Sequence, residues 1–236
     1  MGRAFEYRKA AKMKRWSKMS RIFPRLAKTI TMAAKENGMD PDMNPALRTA
    51  IQNAKGQNMP KDNIDAAIKR AASKDVENYV ETTYEGKGPH GILVFIECAT
   101  NNTTRTIANI KSYFNKADGA LVPTGSLEFM FSRKAIFEMP KSEDLDPEEL
   151  ELELIDAGLE EIEAEGEEMI LTADYTSYGS MNKALEDQNM EVTKSSLQRI
   201  PTSLVEFNEE QMMDIEKFLE KVEEDDDVQQ VFTNLG

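Results

Sequence analysis

Apolar residues in the first 76 positions recur three or four residues apart, which is helical spacing. Asn44 and Pro45 supply an N-cap and a proline at the first helical position, and Gly56 ends the helix that they open. Pro60 opens a further short helix with a similar face of small apolar side chains. The pattern predicts a small helical bundle over residues 1–76.

From about residue 77 the pattern changes to mixed strands and helices. Runs of β-branched and aromatic residues predict strands, and the intervening 3.6-residue period predicts a helix. The predicted elements are strands at 80–86, 92–100 and 126–131, with a helix at 103–116.

Residues 134–203 predict an order of strand, helix, strand, strand, helix, strand, which is the split βαβ arrangement of ferredoxin-like folds. Asp146 and Pro147 begin the first of these helices, and Gly158 ends it. The predicted strands are 134–139, 159–165, 169–173 and 192–200, and the second helix is 177–188.

The remaining C-terminal residues predict one helix, 209–222, and one strand, 228–233. A lone helix and strand cannot bury their apolar faces, so we expect them to return to the sheet begun near residue 80. The fold class predicted is α+β with three domains: an N-terminal small helical bundle, then two α/β-sandwich domains, the last ferredoxin-like and inserted in the second. The domain bounds predicted are 1–76, 77–133 plus 204–236, and 134–203.

Composition restricts the chemistry further. His90 and Cys98 are the only histidine and cysteine, so the chain cannot build a Cys/His zinc site. A carboxylate-based metal site stays open as an alternative, and we expect no metal or other cofactor. No Ser-His-Asp, Cys-His or Walker pattern is present, which favours a non-enzymatic protein. No apolar run reaches the length of a membrane span or a signal peptide, so a cytoplasmic location is expected; a transit peptide is a less favoured interpretation of the basic N-terminus.

Residues 86–91 spell G-x-G-x-x-G, the dinucleotide-binding fingerprint. That motif requires a helix N-terminus after the last glycine, whereas here a strand is predicted on each side and Pro89 lies within. A glycine-rich hairpin turn is therefore the favoured interpretation.

Charge is divided unevenly along the chain, whose formal net charge is −14. Residues 1–75 hold 17 Lys and Arg against 7 acids, a net of +10, and residues 76–236 hold 12 against 36, a net of −24. Residues 143–168 contain 14 acids and no base, which is typical of solvated faces and is a candidate contact for a basic protein partner.

Residues 8–21, RKAAKMKRWSKMSR, carry seven Lys or Arg and no acid. At 100° per residue, Met13, Trp16, Met19 and Phe23 form an apolar arc, and cations lie opposite them. Residues 1–12 lack such an arc and predict a mobile basic arm. The candidate nucleic-acid-binding residues are Arg8, Lys9, Lys12, Lys14, Arg15, Lys18, Arg21, Arg25 and Lys28.

Three functions fit a basic face with a basic arm. Lys and Arg on a polyphosphate backbone give affinity by counterion release, without sequence specificity. An anionic membrane surface is disfavoured, because the bundle needs the apolar residues that would insert. The third alternative is a solubilising surface that pairs with the acidic domains of its own chain.

The chain resembles the YebC/PmpR family of proposed transcriptional regulators, related to the mitochondrial translational activator of cytochrome oxidase subunit I. The resemblance covers nearly the whole chain and is strongest in RKAAKMKRW (8–16), residues 40–71, YEGKGPHG (84–91), TNNTTRT (100–106) and GSLEFMF (125–131). It implies three domains, the first helical and two α/β, in a cytoplasmic protein that binds DNA or works at the ribosome. The chain departs from the family pattern at residues 2–7, at His90, and at Ala120 and Pro123.

Charge and resemblance together predict a non-enzymatic DNA-binding transcriptional regulator. The alternative is a ribosome-associated translation factor that contacts ribosomal RNA, since both polymers offer phosphates. No predicted helix carries Asn, Gln and Arg at base-reading spacing, which weighs against sequence-specific recognition. We expect no small-molecule substrate.

Overall fold

A computed structural model of the chain describes residues 19–73, 78–141 and 146–236. The described residues form an α+β fold with seven α-helices and two four-stranded antiparallel sheets. In chain order the elements are α1 (Met19–Asn37), α2 (Pro45–Gly56), α3 (Lys61–Ala71), β1 (Val80–Lys87), β2 (Leu93–Thr100), α4 (Thr103–Lys116), β3 (Ala120–Val122), β4 (Phe131–Pro140), α5 (Pro147–Leu154), β5 (Leu159–Glu165), β6 (Glu168–Asp174), α6 (Tyr178–Asp187), β7 (Lys194–Pro201), α7 (Glu209–Glu223) and β8 (Val228–Thr233).

Helices α1, α2 and α3 form a helical unit around a core that includes Ile30 and Leu47. Asn44 is fully buried, and its Oδ1 accepts the N–H of Leu47, 3.0 Å away, as an N-cap. Its Nδ2 donates to the carbonyl oxygen of Gly38 at 2.7 Å, which ties the end of α1 to the start of α2. Gly38 has a φ of +97°, a left-handed conformation that glycine adopts without strain. The predicted bundle is confirmed for the described residues.

The first sheet has the strand order β3-β1-β2-β8, and every neighbouring pair is antiparallel. Helices α4 and α7 cover one face, where the rings of Phe114 and Phe218 meet edge to face with centroids 4.9 Å apart. Strand β8 pairs with β2, with Phe232 opposite Phe95. The last helix and strand therefore return to this sheet, as the sequence predicted.

The second sheet has the order β5-β6-β4-β7 and is also antiparallel throughout. Its order along the chain, strand, helix, strand, strand, helix, strand, together with this pairing, is the ferredoxin-like arrangement. Leu154, Met181 and Leu185 from α5 and α6 pack against Phe137 on the covered face. The inserted ferredoxin-like fold is confirmed, whereas the domain bounds at residues 76, 133 and 203 stay a prediction.

The strand predicted at 126–131 is wrong. Residues 128–130 form a 3₁₀ turn, and Phe131 begins β4. The carboxylate of Glu85, 2% exposed, accepts the N–H groups of Gly125 at 2.6 Å and Leu127 at 2.7 Å. These bonds hold the backbone as a loop, because the same N–H groups are then not available to a strand ladder.

Gly86 and Lys87 are the last residues of β1, opposite Val94 and Leu93 of β2, and residues 88–91 lie in the turn between these two antiparallel strands. His90 has a φ of +57°, and its Nε2 lies 2.8 Å from Asp214 Oδ2. The hairpin interpretation of this G-x-G-x-x-G sequence is confirmed. None of the described helices is both long enough and apolar enough for a membrane span.

Candidate nucleic-acid interface

The predicted cations fall into two groups. Arg21 contributes its backbone to α1, and the side chains of Arg25 and Lys28 are described. The other predicted residues, and the predicted mobile arm, lie outside the described residues: Arg8, Lys9, Lys12, Lys14, Arg15 and Lys18.

The apolar face of α1 has the predicted phase. Phe23 and Leu26 are partly buried against the core of the helical unit, and Ile30 is fully buried there. Thr31 donates through its Oγ1 to the carbonyl oxygens of Ala27 and, at 2.9 Å, Ala67 of α3. One face of α1 is therefore fixed on α2 and α3, and the face that carries Arg25 and Lys28 points elsewhere.

Lys28 is held by the first sheet and by the turn that follows α7. Its Nζ donates to the carbonyl oxygens of Ala99 at 3.0 Å and Asp226 at 2.7 Å, and lies 3.8 Å from Asp227 Oδ1. The ammonium also lies 4.9 Å from the centroid of the Tyr79 ring. Only 13% of the Lys28 side chain is exposed.

Arg25 makes a similar contact one helical turn earlier. Its Nη2 donates to the carbonyl oxygen of Glu223, the last residue of α7. Arg25 and Lys28 thus contact the chain's own acidic segment, and neither side chain is fully exposed. At Arg25 and Lys28 the helix does not present the open cationic face that periodicity predicted, because periodicity describes one helix and not the element packed against it. For Arg25 and Lys28, the structure therefore shows the contact that a solubilising surface paired with the acidic part of its own chain would make.

Lys28 contacts the turn Asp225–Asp227 between α7 and β8, called here the acidic turn, and Arg25 contacts the end of α7 just before it. Asp227, with its side chain 6% exposed, accepts both guanidinium and hydroxyl donors. Arg105 Nη2 donates to its two carboxylate oxygens at 2.9 and 2.7 Å, and Thr106 Oγ1 donates at 2.8 Å. Burial acts to raise the pKa of Asp227, but these hydrogen bonds and the Arg105 charge hold that pKa below its usual value.

Asp225 anchors the other end of the acidic turn. Its Oδ2 accepts from Asn109 Nδ2 at 3.0 Å and from the Tyr113 hydroxyl at 2.9 Å. Burial, followed by this hydrogen bond to the carboxylate, raises the pKa of Tyr113 to about 12, so the hydroxyl remains a donor at neutral pH. The acidic turn is therefore fixed by α4 independently of the helical unit.

The pKa of Lys28 is lowered, and burial is the principal cause. The attraction of Asp227 and Asp226 acts in the opposite direction and does not fully offset burial. The surroundings of Lys28 therefore favour its ammonium less than water does, even though three acceptor oxygens lie near it.

A second contact joins the helical unit to the second sheet. Asn53 of α2 forms a pair of hydrogen bonds with Ser195 of β7: Nδ2 donates to the carbonyl oxygen at 2.7 Å, and Oδ1 accepts the N–H at 2.8 Å. Gln52 Nε2 donates to the carbonyl oxygen of Val192 at 2.5 Å. A Cβ on Gly56 would lie 2.0 Å from the carbonyl oxygen of Thr193, so glycine is needed at this approach. These hydrogen bonds involve no charged group.

Sequence patterns indicate neither the α1 contact nor the α2 contact. Asp225–Asp227 reads as part of an acidic run, and Asn53 as an ordinary polar helix residue. The one available signal was TNNTTRT, quoted for its family resemblance, in which Asn102 caps α4 and Arg105 and Thr106 bind Asp227. The described residues contain no cluster of three or more His, Cys, Asp or Glu suited to a metal ion.

Two family models match consecutive parts of the chain. The model described as the TACO1/YebC protein N-terminal domain matches residues 3–74, and the model described as the TACO1/YebC second and third domain matches residues 79–235. Together they cover the helical unit and both sheets.

Curated relatives and a solved structure are similar over nearly the whole length. A protein of Wolinella succinogenes named "Probable transcriptional regulatory protein" is 64% identical over 100% of both chains, and one of Helicobacter pylori strain G27 with the same description is 58% identical over 100% of both. The crystal structure of a conserved hypothetical protein from Aquifex aeolicus is 33% identical with a TM-score of 0.77, and covers 94% of this chain and 91% of that one.

Proposed function

This chain belongs to the TACO1/YebC family, and we propose that it is a non-enzymatic, cytoplasmic, DNA-binding transcriptional regulator whose binding residues lie in positions 8–21. The observation that carries the proposal is the charge of that stretch, seven Lys or Arg and no acid. The names of the relatives support a role in transcription regulation. Binding is electrostatic, through phosphates rather than base edges.

The contacts of α1 support placing the binding residues in positions 8–21, before Arg25 and Lys28. Arg25 and Lys28 lie against the acidic segment of the chain itself, so the proposed binding residues are the cations that precede them in the sequence. A net charge of −14 does not prevent binding there, because charges more than about 10 Å apart are largely screened at 0.1 M salt. The acidic second sheet then keeps the polymer on one side of the molecule.

Charge reversal tests the location of the site. Changing Lys14, Arg15, Lys18 and Arg21 together to Glu should abolish binding to a 20-base-pair duplex, measured by fluorescence anisotropy. The matched control reverses the same number of exposed cations elsewhere in the helical unit: Lys55, Lys61, Lys69 and Arg70. Both variants change the net charge equally, so equal loss of binding would contradict a site in residues 8–21.

The choice between DNA and the ribosome needs a second test. A regulator must prefer its operator over bulk DNA by roughly 10³ or more, because the genome offers a large excess of competing sites. The basic stretch lacks Asn and Gln, which read adenine edges, so we expect a preference below about 100-fold for any promoter fragment.

Gradient sedimentation of a cell lysate separates the two candidates. A regulator stays at the top of the gradient, and a genomic pull-down returns a few enriched promoters. Co-migration with ribosomal particles that the four-residue Glu variant loses would replace the regulator with the ribosome-associated translation factor, whose binding site is unique in shape and needs no base reading.

A further inference from the structure

Arg25 and Lys28 continue the predicted binding face of α1. Arg21 and Arg25 are four residues apart and Arg25 and Lys28 are three apart, so the three lie on adjacent turns of one helix face. The end of α7 and the acidic turn offer Arg25 and Lys28 oxygen acceptors, as a nucleic-acid backbone would: the carbonyl oxygens of Glu223 and Asp226, with the carboxylate of Asp227 3.8 Å from Lys28.

The acidic turn does not depend on these two cations. Asp227 keeps Arg105 and Thr106 as donors without Lys28, and Asp225 is held by α4. Lys28 donates two hydrogen bonds to carbonyl oxygens and Arg25 donates one to that of Glu223, and water can replace such bonds. The lowered pKa of Lys28 is consistent with a contact that can open, since this position favours the ammonium less than water does. The contact can therefore open without unfolding the turn.

The contact of α2 with β7 does not use charge and would remain when the first contact opens. Asn53 and Gln52 bind backbone groups of residues 192–195, and Gly56 packs closely against Thr193. The helical unit would stay attached to the second sheet while α1 separates from the acidic turn.

We propose that the end of α7 and the acidic turn together are an intramolecular competitor for the binding face of α1: they hold Arg25 and Lys28 in the free protein and release them to phosphates when nucleic acid binds. The inference rests on the proposed function and adds a regulatory contact to that site. It predicts that binding involves more cations than the free protein exposes.

The salt dependence of duplex affinity measures how many cations of the protein contact phosphates in the complex. Each phosphate contact adds roughly −0.9 to the slope of log affinity against log salt. In the full chain, Arg25→Gln with Lys28→Gln keeps neutral donors but removes two charges, so the slope should become less negative by about 2. The control, Lys116→Gln with Lys183→Gln, removes two exposed cations from α4 and α6 and should leave the slope unchanged.

The outcomes separate this inference from the proposed function. If the wild-type chain binds the duplex and both double variants give its slope, the competitor role is overturned and the site in residues 8–21 stands. If the wild-type chain does not bind any duplex or RNA stem, both the competitor role and the proposed function are overturned.

Carboxylate labelling tests the same release in the unmodified chain. Carbodiimide coupling of glycine ethyl ester, read by mass spectrometry, should rise at least about threefold at Asp227 when a 20-base-pair duplex is added, because Lys28 then no longer lies beside a carboxylate that is 6% exposed in the free protein. Exposed Asp226 should change little, and exposed Glu151 and Glu153 on α5 serve as the internal reference. Unchanged or decreased labelling at Asp227, with binding confirmed in the same sample, would overturn the proposal.

Discussion

The contact of α1 with the acidic turn and the contact of α2 with β7 hold the same helical unit, but they differ in chemistry. The first consists of cations on carbonyl and carboxylate oxygens, and Lys28 lies there in surroundings that lower its pKa. The second consists of amide hydrogen bonds to strand backbone and the close approach of Gly56 to Thr193.

The difference gives the helical unit one contact that is insensitive to salt and one that weakens as salt rises. Neutral amide contacts are nearly insensitive to salt, and a buried backbone group that loses its partner costs about 1–3 kcal/mol. Partly exposed ion pairs are worth about 0–1 kcal/mol and weaken as salt rises. The α2 contact is therefore suited to hold position, and the α1 contact to respond to ionic surroundings and polyanions.

The largest effect is expected at Asp227, the centre of the acidic turn. Asp227→Asn weakens charge-assisted bonds from Arg105 and Thr106 to a side chain only 6% exposed, so we expect a loss of about 3 kcal/mol in the free energy of unfolding. Urea denaturation of the full chain measures it. A loss below about 1 kcal/mol would show that the turn does not organise this region.

The same variant has a defined pH dependence. The pKa of Asp227 in the folded protein lies below its unfolded value, near 3.9, so its stabilising contribution is complete above that value and disappears as pH falls through the folded pKa. The stability difference between wild type and Asp227→Asn should therefore be largest at pH 6–7 and shrink in acid. A difference that stays constant down to about pH 2 would contradict this linkage.

Gly56→Ala should come next. Its Cβ would lie 2.0 Å from a backbone oxygen, which cannot be relieved by a side-chain rotation, so α2 must move from β7 at a cost of about 2 kcal/mol. Thermal unfolding should show a decrease of roughly 4–8 °C for a chain of this size. Gly179→Ala is the matched control, because a Cβ there meets nothing within 4 Å, and it should leave the midpoint almost unchanged.

Asn53→Ala removes both hydrogen bonds to Ser195 without a steric clash, and we expect a loss of about 1–2 kcal/mol. The loss should be equal at 0.05 M and 1 M salt, because neither partner is charged. A loss that vanishes at high salt would show that the α2 contact is electrostatic after all.

Lys28→Gln is expected to have the smallest effect on stability, within about 0.5 kcal/mol at low salt, because burial of the ammonium offsets its attraction to Asp227 and Asp226. The comparison of Asn53→Ala with Lys28→Gln in parallel denaturation curves then tests the proposed difference between the two contacts. A larger loss for Lys28→Gln would reverse their order.

Local sequence signals predicted much of the fold. Asn44 with Pro45 located the start of α2, and the structure contains the predicted cap hydrogen bond. The strand order of the second sheet followed from the alternation of strands and helices. The turn at 128–130 could not be predicted, because the carboxylate that holds it belongs to Glu85, about 40 residues earlier.

The candidate site was predictable only in part, for a related reason. Charge spacing predicts a basic face on α1, which stays a prediction, and Phe23, packed against the core of the helical unit, has the predicted phase of the apolar side. The partner of Arg25 and Lys28 lies almost 200 residues away in sequence, in a turn whose position depends on β8 pairing with β2. No pattern within α1 indicates that contact.

The salt dependence of duplex binding by the full-length chain tests the central claim most directly. If residues 8–21 and the two released cations contact about five to eight phosphates, log affinity should fall against log salt with a slope of roughly −4 to −7. The measurement needs one labelled duplex and salt concentrations from about 0.05 to 0.3 M, with affinity read by anisotropy. A slope near zero would contradict the electrostatic account.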